Sequence, residues 1–162
     1  MEEVTTTGGA TTAAATNVLV AIDDSEESFH ALRWALEKIL KRKSATVVTI
    51  AHVVEPLPRY AFPGGLAVVE SASKAQEQNG ARILSRAYEM CRESSVRRLI
   101  IIGGDPKDRI CRAVEEMNIN LLVVGSRGLG QIKRAFLGSV SDYCAQHAKC
   151  PVLVVKQPSK KI

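Results

Sequence analysis

The residues of this chain best suited by type and spacing to do chemistry are Gly125-Ser126-Arg127-Gly128 and, nine residues further on, Gly138-Ser139-Val140-Ser141. Glycine lets a backbone turn tightly and approach a ligand with no Cβ in the way. Gly138-Ser139 is placed to open a helix, whose first N–H groups are unpaired and whose dipole favours an anion. The hydroxyls of Ser139 and Ser141 add donors suited to phosphate oxygens. Arg127, Lys133 and Arg134, in or beside the loop, add positive charge. The chemistry implied is the cradling of a phosphate. A glycine-rich loop that merely caps a helix has the same local pattern, so spacing alone leaves both readings open.

Two other phosphate motifs are missing from the sequence. There is no Gly-Lys-Ser/Thr, which excludes a Walker-type loop. The first apolar run is followed by Asp23-Asp24-Ser25-Glu26-Glu27, where a dinucleotide fingerprint would have glycines.

The elements that must position these residues are legible in the hydrophobic pattern. Short apolar runs predict strands at Asn17–Ile22, Thr46–Val53, Arg98–Gly103, Asn120–Gly125 and Val152–Val155. Helices are predicted between them. The first is capped by Asp24 with Glu27 and carries Phe29, Leu32, Leu36, Ile39 and Leu40 at helical spacing. A long polar helix runs from Leu66 to Glu93, with a break expected near Asn79-Gly80. Shorter helices cover Pro106–Met117 and Gly138–His147. Glu55–Gly65, with three prolines and two glycines, is read as a loop.

Continuous apolar strands alternating with helices imply an α/β fold with a doubly wound, five-stranded parallel sheet. Such sheets bind ligands at the carboxyl ends of the strands where strand order reverses. That directs attention to Asp23, His52-Val53, Gly103–Asp105 and Gly125 onward. Residues 1–16, poor in large apolar side chains, are expected to be a disordered leader, 17–156 the single domain and 157–162 a basic tail.

Composition narrows the partners. Aromatics are only 4% of the chain, so the core must be aliphatic, and the net charge of +5 is scattered or gathered in the tail without interleaved aromatics. This argues against nucleic-acid binding. No apolar run is long enough for a bilayer and no signal peptide is visible, so a cytoplasmic protein with access to the nucleus is expected. The four cysteines form no C-x-x-C pair, which argues against zinc. Cys111 and Cys144 are read as buried small hydrophobes, and Cys150, before Pro151, as the most reactive thiol. His30, His52, His147 and Trp34 are read as structural or packing residues. The charged positions Lys74, Glu77, Arg82, Arg86, Glu89 and Arg92 are read as a solvated helix face.

The combined pattern resembles the universal stress protein family. It has G-2x-G-9x-G-S after the fourth strand, a first strand ending in Asp23, His52-Val53 ending the second, and a closing Pro151-Val-Leu-Val-Val. Asp24-Ser-x-x-Ser28 and Ala31-Leu-x-Trp-Ala-Leu36 are similar to plant members. The resemblance spans about Asn17 to Lys156. It implies a Rossmann-like sheet of order 3-2-1-4-5, related to the adenine-nucleotide α-hydrolases, that binds ATP or AMP, with Mg2+ as a companion ion. By position it implies that Asp23 bonds the ribose, that Val53, with Ala21 nearby, lines the adenine pocket, and that Gly125 lies near the ribose. Gly128, Gly138, Ser139 and Val140 would hold the phosphates, with Arg127 and Ser141 beside them. Gly130 within the loop, and Ala21 where some members carry proline, depart from the pattern.

Asp23 is the only carboxylate expected at the centre of the site, and no histidine lies in the phosphate loop to serve as a base. The expected role is that of a nucleotide-dependent sensor or switch with at most slow hydrolysis. The final strand, apolar throughout and at a sheet edge, would pair with a second copy to make a homodimer. Two competing readings remain. A phosphoacceptor receiver domain would use Asp23-Asp24, Asp105, Ser126 and Lys156, although it leaves the glycine motif unexplained. A ligand-free dimeric interaction domain is the other.

Overall fold

The computed structural model describes residues 15–41, 45–57, 65–94, 96, 98–126 and 137–158. Its strands are β1 (Thr16–Ile22), β2 (Thr46–Val54), β3 (Arg98–Gly103), β4 (Leu121–Gly125) and β5 (Val152–Val155). All neighbouring pairs are parallel, in the order β3-β2-β1-β4-β5. The expected α/β sheet and its order are therefore present. β1 takes in Thr16, one residue earlier than expected, because Thr16 N–H donates to Ala45 O at 3.0 Å. β4 starts one residue later, since Asn120 serves instead as an anchor. Its side-chain oxygen accepts from Asn17 N–H at 2.8 Å, and its own amide donates to Asn17 O at 2.8 Å.

Successive side chains on a strand point to opposite faces, so both faces of β1 must be covered. Val18, Val20 and Ile22 face one core, with Phe29, Leu32, Ile83 and Ala87. Leu19 faces the other, with Ile110, Ala113, Leu122, Val124 and Cys144. Helices α1 (Glu26–Ala35) and α2 (Leu66–Cys91) thus cover the first face, while α3 (Pro106–Glu116) and α4 (Ser139–His147) cover the second.

Local sequence accounts for most boundaries. The cap of α1 is Ser25 rather than the expected Asp24: the Ser25 hydroxyl accepts from Ser28 N–H at 3.2 Å. Ser25 wins because Asp23 holds it, as described below. A π-turn over Leu36–Leu40 continues α1. The break expected near Asn79-Gly80 does not occur. The buried stripe of α2 is Gly80, Ile83, Ala87 and Cys91, at steps of three and four, so the glycine belongs to the seam that packs on the sheet. Burial of that seam outweighs the ~1 kcal/mol that a mid-helix glycine costs. Asp105 caps α3 by accepting from Lys107 N–H at 3.2 Å, and Pro106 occupies the first turn, where its missing N–H costs nothing. After α3 the chain turns through Asn118 at φ 51°, a left-handed conformation that asparagine tolerates.

The charged face of α2 is not merely solvated. Arg86 makes a two-pronged ion pair with Glu26 at 2.8 and 2.9 Å and lies 3.9 Å over the Phe29 ring, while Arg82 reaches Asp24 at 3.4 Å. These contacts clasp α2 to α1. The Arg86 hydrogen bond holds the Glu26 carboxyl below its usual range.

Candidate functional site

β1 and β4 are neighbours whose following helices leave on opposite faces of the sheet. A cleft therefore opens at their carboxyl ends. It has a volume of about 670 Å³, within the range of small-molecule sites. Ala21, Ile22 and Asp23 line it from β1, and His52 and Val53 from β2. Val124 and Gly125 line it from β4, and Gly138 to Ser141 from the start of α4. Of the residues singled out from the sequence, Ala21, Asp23, Val53, Gly125, Gly138, Ser139, Val140 and Ser141 thus share one cleft. Arg127 and Gly128 lie outside the described residues, as do Gly130, Lys133 and Arg134.

Asp23 is fixed by its neighbours. Its Oδ1 accepts from the Ser25 amide at 2.8 Å and from the Ser25 hydroxyl. The Ser28 hydroxyl donates to the Asp23 carbonyl, 2.9 Å away. One carboxylate oxygen is thus committed to the β1–α1 turn. Asp23 Oδ2 has no hydrogen-bond partner among the described residues, and Asp23 is part of the cleft wall. This leaves an oriented acceptor for a hydroxyl-bearing ligand.

The opposite wall is a helix start. Gly138 caps α4 with no side-chain hydrogen bond, so the amides of Ser139, Val140 and Ser141 have no intrahelical partner. Gly138 itself donates to Ser126 O at 2.7 Å, which pins the helix start to the end of β4. The Ser141 hydroxyl is buried between the carbonyls of Ser126 (3.3 Å) and Gly138 (3.1 Å). Its proton therefore serves this turn, and a ligand meets the Ser139 hydroxyl and the free amides first. Ser139 is exposed, and Val140 half-buried. The wall can receive a negatively charged group.

His52 is buried, with Nδ1 3.0 Å from Ile22 O, its register partner on β1. A ring N–H donating to that carbonyl leaves Nε2 as the acceptor, the structural role expected from the sequence. Sequence reasoning missed the contribution of α2: Gln76 and Asn79 line the cleft as well. Gln76 Nε2 donates to Glu55 O, which ties α2 to the end of β2. Their polarity within a polar helix gave no hint of this; only the buried Gly80, flanking them on the inward stripe, marks that face.

Asp105 commits a carboxylate oxygen to the cap of α3 and is not part of the cleft wall, although its neighbour Pro106 is. All four cysteines are free. Burial pushes each thiol up, including Cys150, which works against the special reactivity expected of that residue.

Fold and cleft together define a doubly wound α/β protein with an anion-receptive site at the β1–β4 switch point. Residues 15–156 match the Universal stress protein family, and the chain belongs to that family. A universal stress protein A-like protein of Arabidopsis thaliana is 34% identical over 139 residues, covering 78% of this chain and 77% of its own length. A universal stress protein family protein from Arabidopsis thaliana, solved with AMP bound, is 28% identical. It superposes with a TM-score of 0.64 over 89% of this chain and 93% of its own. A universal stress protein solved in complex with cAMP is 27% identical, with a TM-score of 0.60 over 88% of this chain and 97% of its own. Among the described residues no helix is long and apolar enough to cross a membrane.

Proposed function

We propose that the cleft binds an adenine nucleotide, ATP or AMP, and that the protein acts in stress response as a nucleotide-dependent sensor or switch. The observation that carries this reading is the convergence on one cleft of an oriented carboxylate, Asp23, an apolar wall at Ala21 and Val53, and the uncapped start of α4. A nucleoside phosphate has the matching sequence of groups: ribose hydroxyl, apolar base and anion. The AMP and cAMP found in the two solved relatives support it.

In this reading Asp23 accepts from a ribose hydroxyl, Val53 and Ala21 flank the base, and Gly125 passes close to the ribose. Arg127, Gly128, Gly138, Ser139 and Val140 surround the phosphates, and Ser141 holds the turn that presents them. Among the described residues no group of three His, Cys, Asp or Glu side chains is arranged for a metal ion, so Mg2+ would arrive held by the phosphates. Asp23 is an acceptor rather than a base, and hydrolysis is at most slow.

A second copy pairing along Val152–Val155 would cover the β5 edge and make a homodimer. Light scattering at micromolar concentration tests that step, and a monomer would overturn it. Calorimetry with ATP and AMP tests the main reading, on the wild type and on Gly138→Val and Ser139→Ala. Binding by the wild type that is weakened in both variants supports it. No binding by the wild type sinks it.

A further inference from the structure

Cys111 on α3 and Cys144 on α4 stand apart from the other polar or nucleophilic groups. Their Sγ atoms lie 4.0 Å apart although the residues are 33 positions apart in sequence. A single buried cysteine is ordinarily an inert small hydrophobe. Two thiols from different helices at sulfur contact distance are a dithiol. We propose that Cys111 and Cys144 form an oxidisable pair, which a hydroperoxide converts to an intramolecular disulfide stapling α3 to α4 beside the cleft.

The two sulfurs differ in access. Cys144 is fully buried, whereas Cys111 is half-buried and borders the surface of α3. A peroxide therefore meets Cys111 first; burial raises this thiol as it does Cys150, so what sets Cys111 apart is the second sulfur beside it and not acidity. The Cys111 sulfur, as thiolate, attacks one peroxide oxygen; an S–O bond forms, the O–O bond breaks, and water or an alcohol leaves with the released proton. Cys111 is now a sulfenic acid. The Cys144 sulfur then attacks the Cys111 sulfur; the S–S bond forms, the S–O bond breaks, and hydroxide leaves as water with the Cys144 proton. Two thiols lose two electrons and one peroxide gains them. A disulfide bond of ~2.0 Å requires the sulfurs, now 4.0 Å apart, to approach by about 2 Å.

The neighbouring thiols define the alternatives. Cys150 also belongs to this core, on the segment leading into β5. Cys91 lies in the core on the opposite face of the sheet and is out of reach. The closed ring would contain all of β4, together with Ser126 and Gly138–Ser141. It joins Ile110 and Ser141, two residues of the cleft wall, through their near neighbours. The pairing itself is independent of whatever ligand the cleft takes.

The test uses the full chain, reduced, freed of reductant and treated with hydrogen peroxide. The expected result is a monomer chain lighter by two hydrogens, with free thiols falling from four to two. A peptide map should show Cys111 joined to Cys144, restored to thiols by dithiothreitol. Cys111→Ser should abolish the crosslink, and Cys91→Ser should retain it. Because Cys144→Ala leaves a buried gap, the wild-type peptide map is the deciding measurement. A bond through Cys150, a crosslink between chains only, or oxygen added to Cys111 with Cys144 left free would each overturn the pairing.

Discussion

Gly125, the last residue of β4, packs directly on the Glu27 peptide in the first turn of α1: a Cβ there would lie 2.9 Å from the Glu27 carbonyl carbon and oxygen and 3.0 Å from Ser28 N. The contact is backbone on backbone, with no flexible side chain able to yield. The glycine that sequence spacing assigns to ligand approach thus also sets how closely α1 seats on the sheet. It follows that the β1–α1 turn, which carries Asp23, is positioned from β4.

Gly125→Ala should therefore destabilise the fold by ~1–3 kcal/mol, the usual cost of forcing a methyl into a packed interior. Gly103→Ala is the control, since nothing lies within 4 Å of its would-be Cβ. Urea unfolding checks both: the Gly125 variant should lose midpoint at constant slope, and the Gly103 variant should not. Equal midpoints would show that β4 and α1 can separate freely.

The cap of α1 allows a second comparison. Ser25→Ala removes the acceptor of Ser28 N–H and one of the two donors to Asp23 Oδ1, the hydroxyl, while the Ser25 amide stays, so it should cost about 1–2 kcal/mol. Asp24→Ala loses only a partly exposed 3.4 Å contact with Arg82 and should fall within ~0.5 kcal/mol of the wild type. Thermal melts of the two variants distinguish them. A larger loss for Asp24→Ala would restore Asp24 as the cap.

These cases explain what was legible beforehand. The sheet and its helices could be read because apolar runs such as Val18–Ile22 and Val152–Val155 encode burial directly. The glycine-serine cluster could be read because loop and helix-start chemistry is local. What stayed hidden depends on contacts between distant segments. The choice of Ser25 over Asp24 follows from Asp23 folding back on it, and the continuity of α2 through Gly80 follows from packing on β2. Gln76 and Asn79 join the cleft only because α2 lies across the end of β2. The 4.0 Å approach of Cys111 and Cys144 has no sequence signature, since neither spacing nor periodicity relates the two helices.

The two ends of the proposed nucleotide site should respond differently to substitution. Asp23→Asn keeps the shape but weakens a charge-assisted acceptor, so AMP, ATP and adenosine should all lose affinity, by ~10–100-fold. Ser139→Ala removes one hydroxyl at the start of α4 and should weaken ATP and AMP by ~3–10-fold while leaving adenosine unchanged. Calorimetric titration of the three ligands separates the ends. A loss of adenosine affinity in Ser139→Ala would move the phosphates away from α4.

The buried thiols predict how stability changes at alkaline pH. Burial pushes the Cys91 thiol up to about 11 and the Cys144 thiol up to about 12. In the unfolded chain a thiol titrates near ~8.5. Above that pH the unfolded chain releases protons that the folded protein keeps, so unfolding gains free energy as pH rises. The contribution is fully present below the unfolded value and is lost progressively as pH climbs through 11 to 12. Urea midpoints measured from neutral pH upward, with a phosphine reductant present, should fall more steeply for the wild type than for Cys91→Ala or Cys144→Ala. Each variant removes one retained thiol proton from the balance, whatever its stability at neutral pH. Parallel slopes in all three proteins would mean that the thiols ionise without opposing the fold.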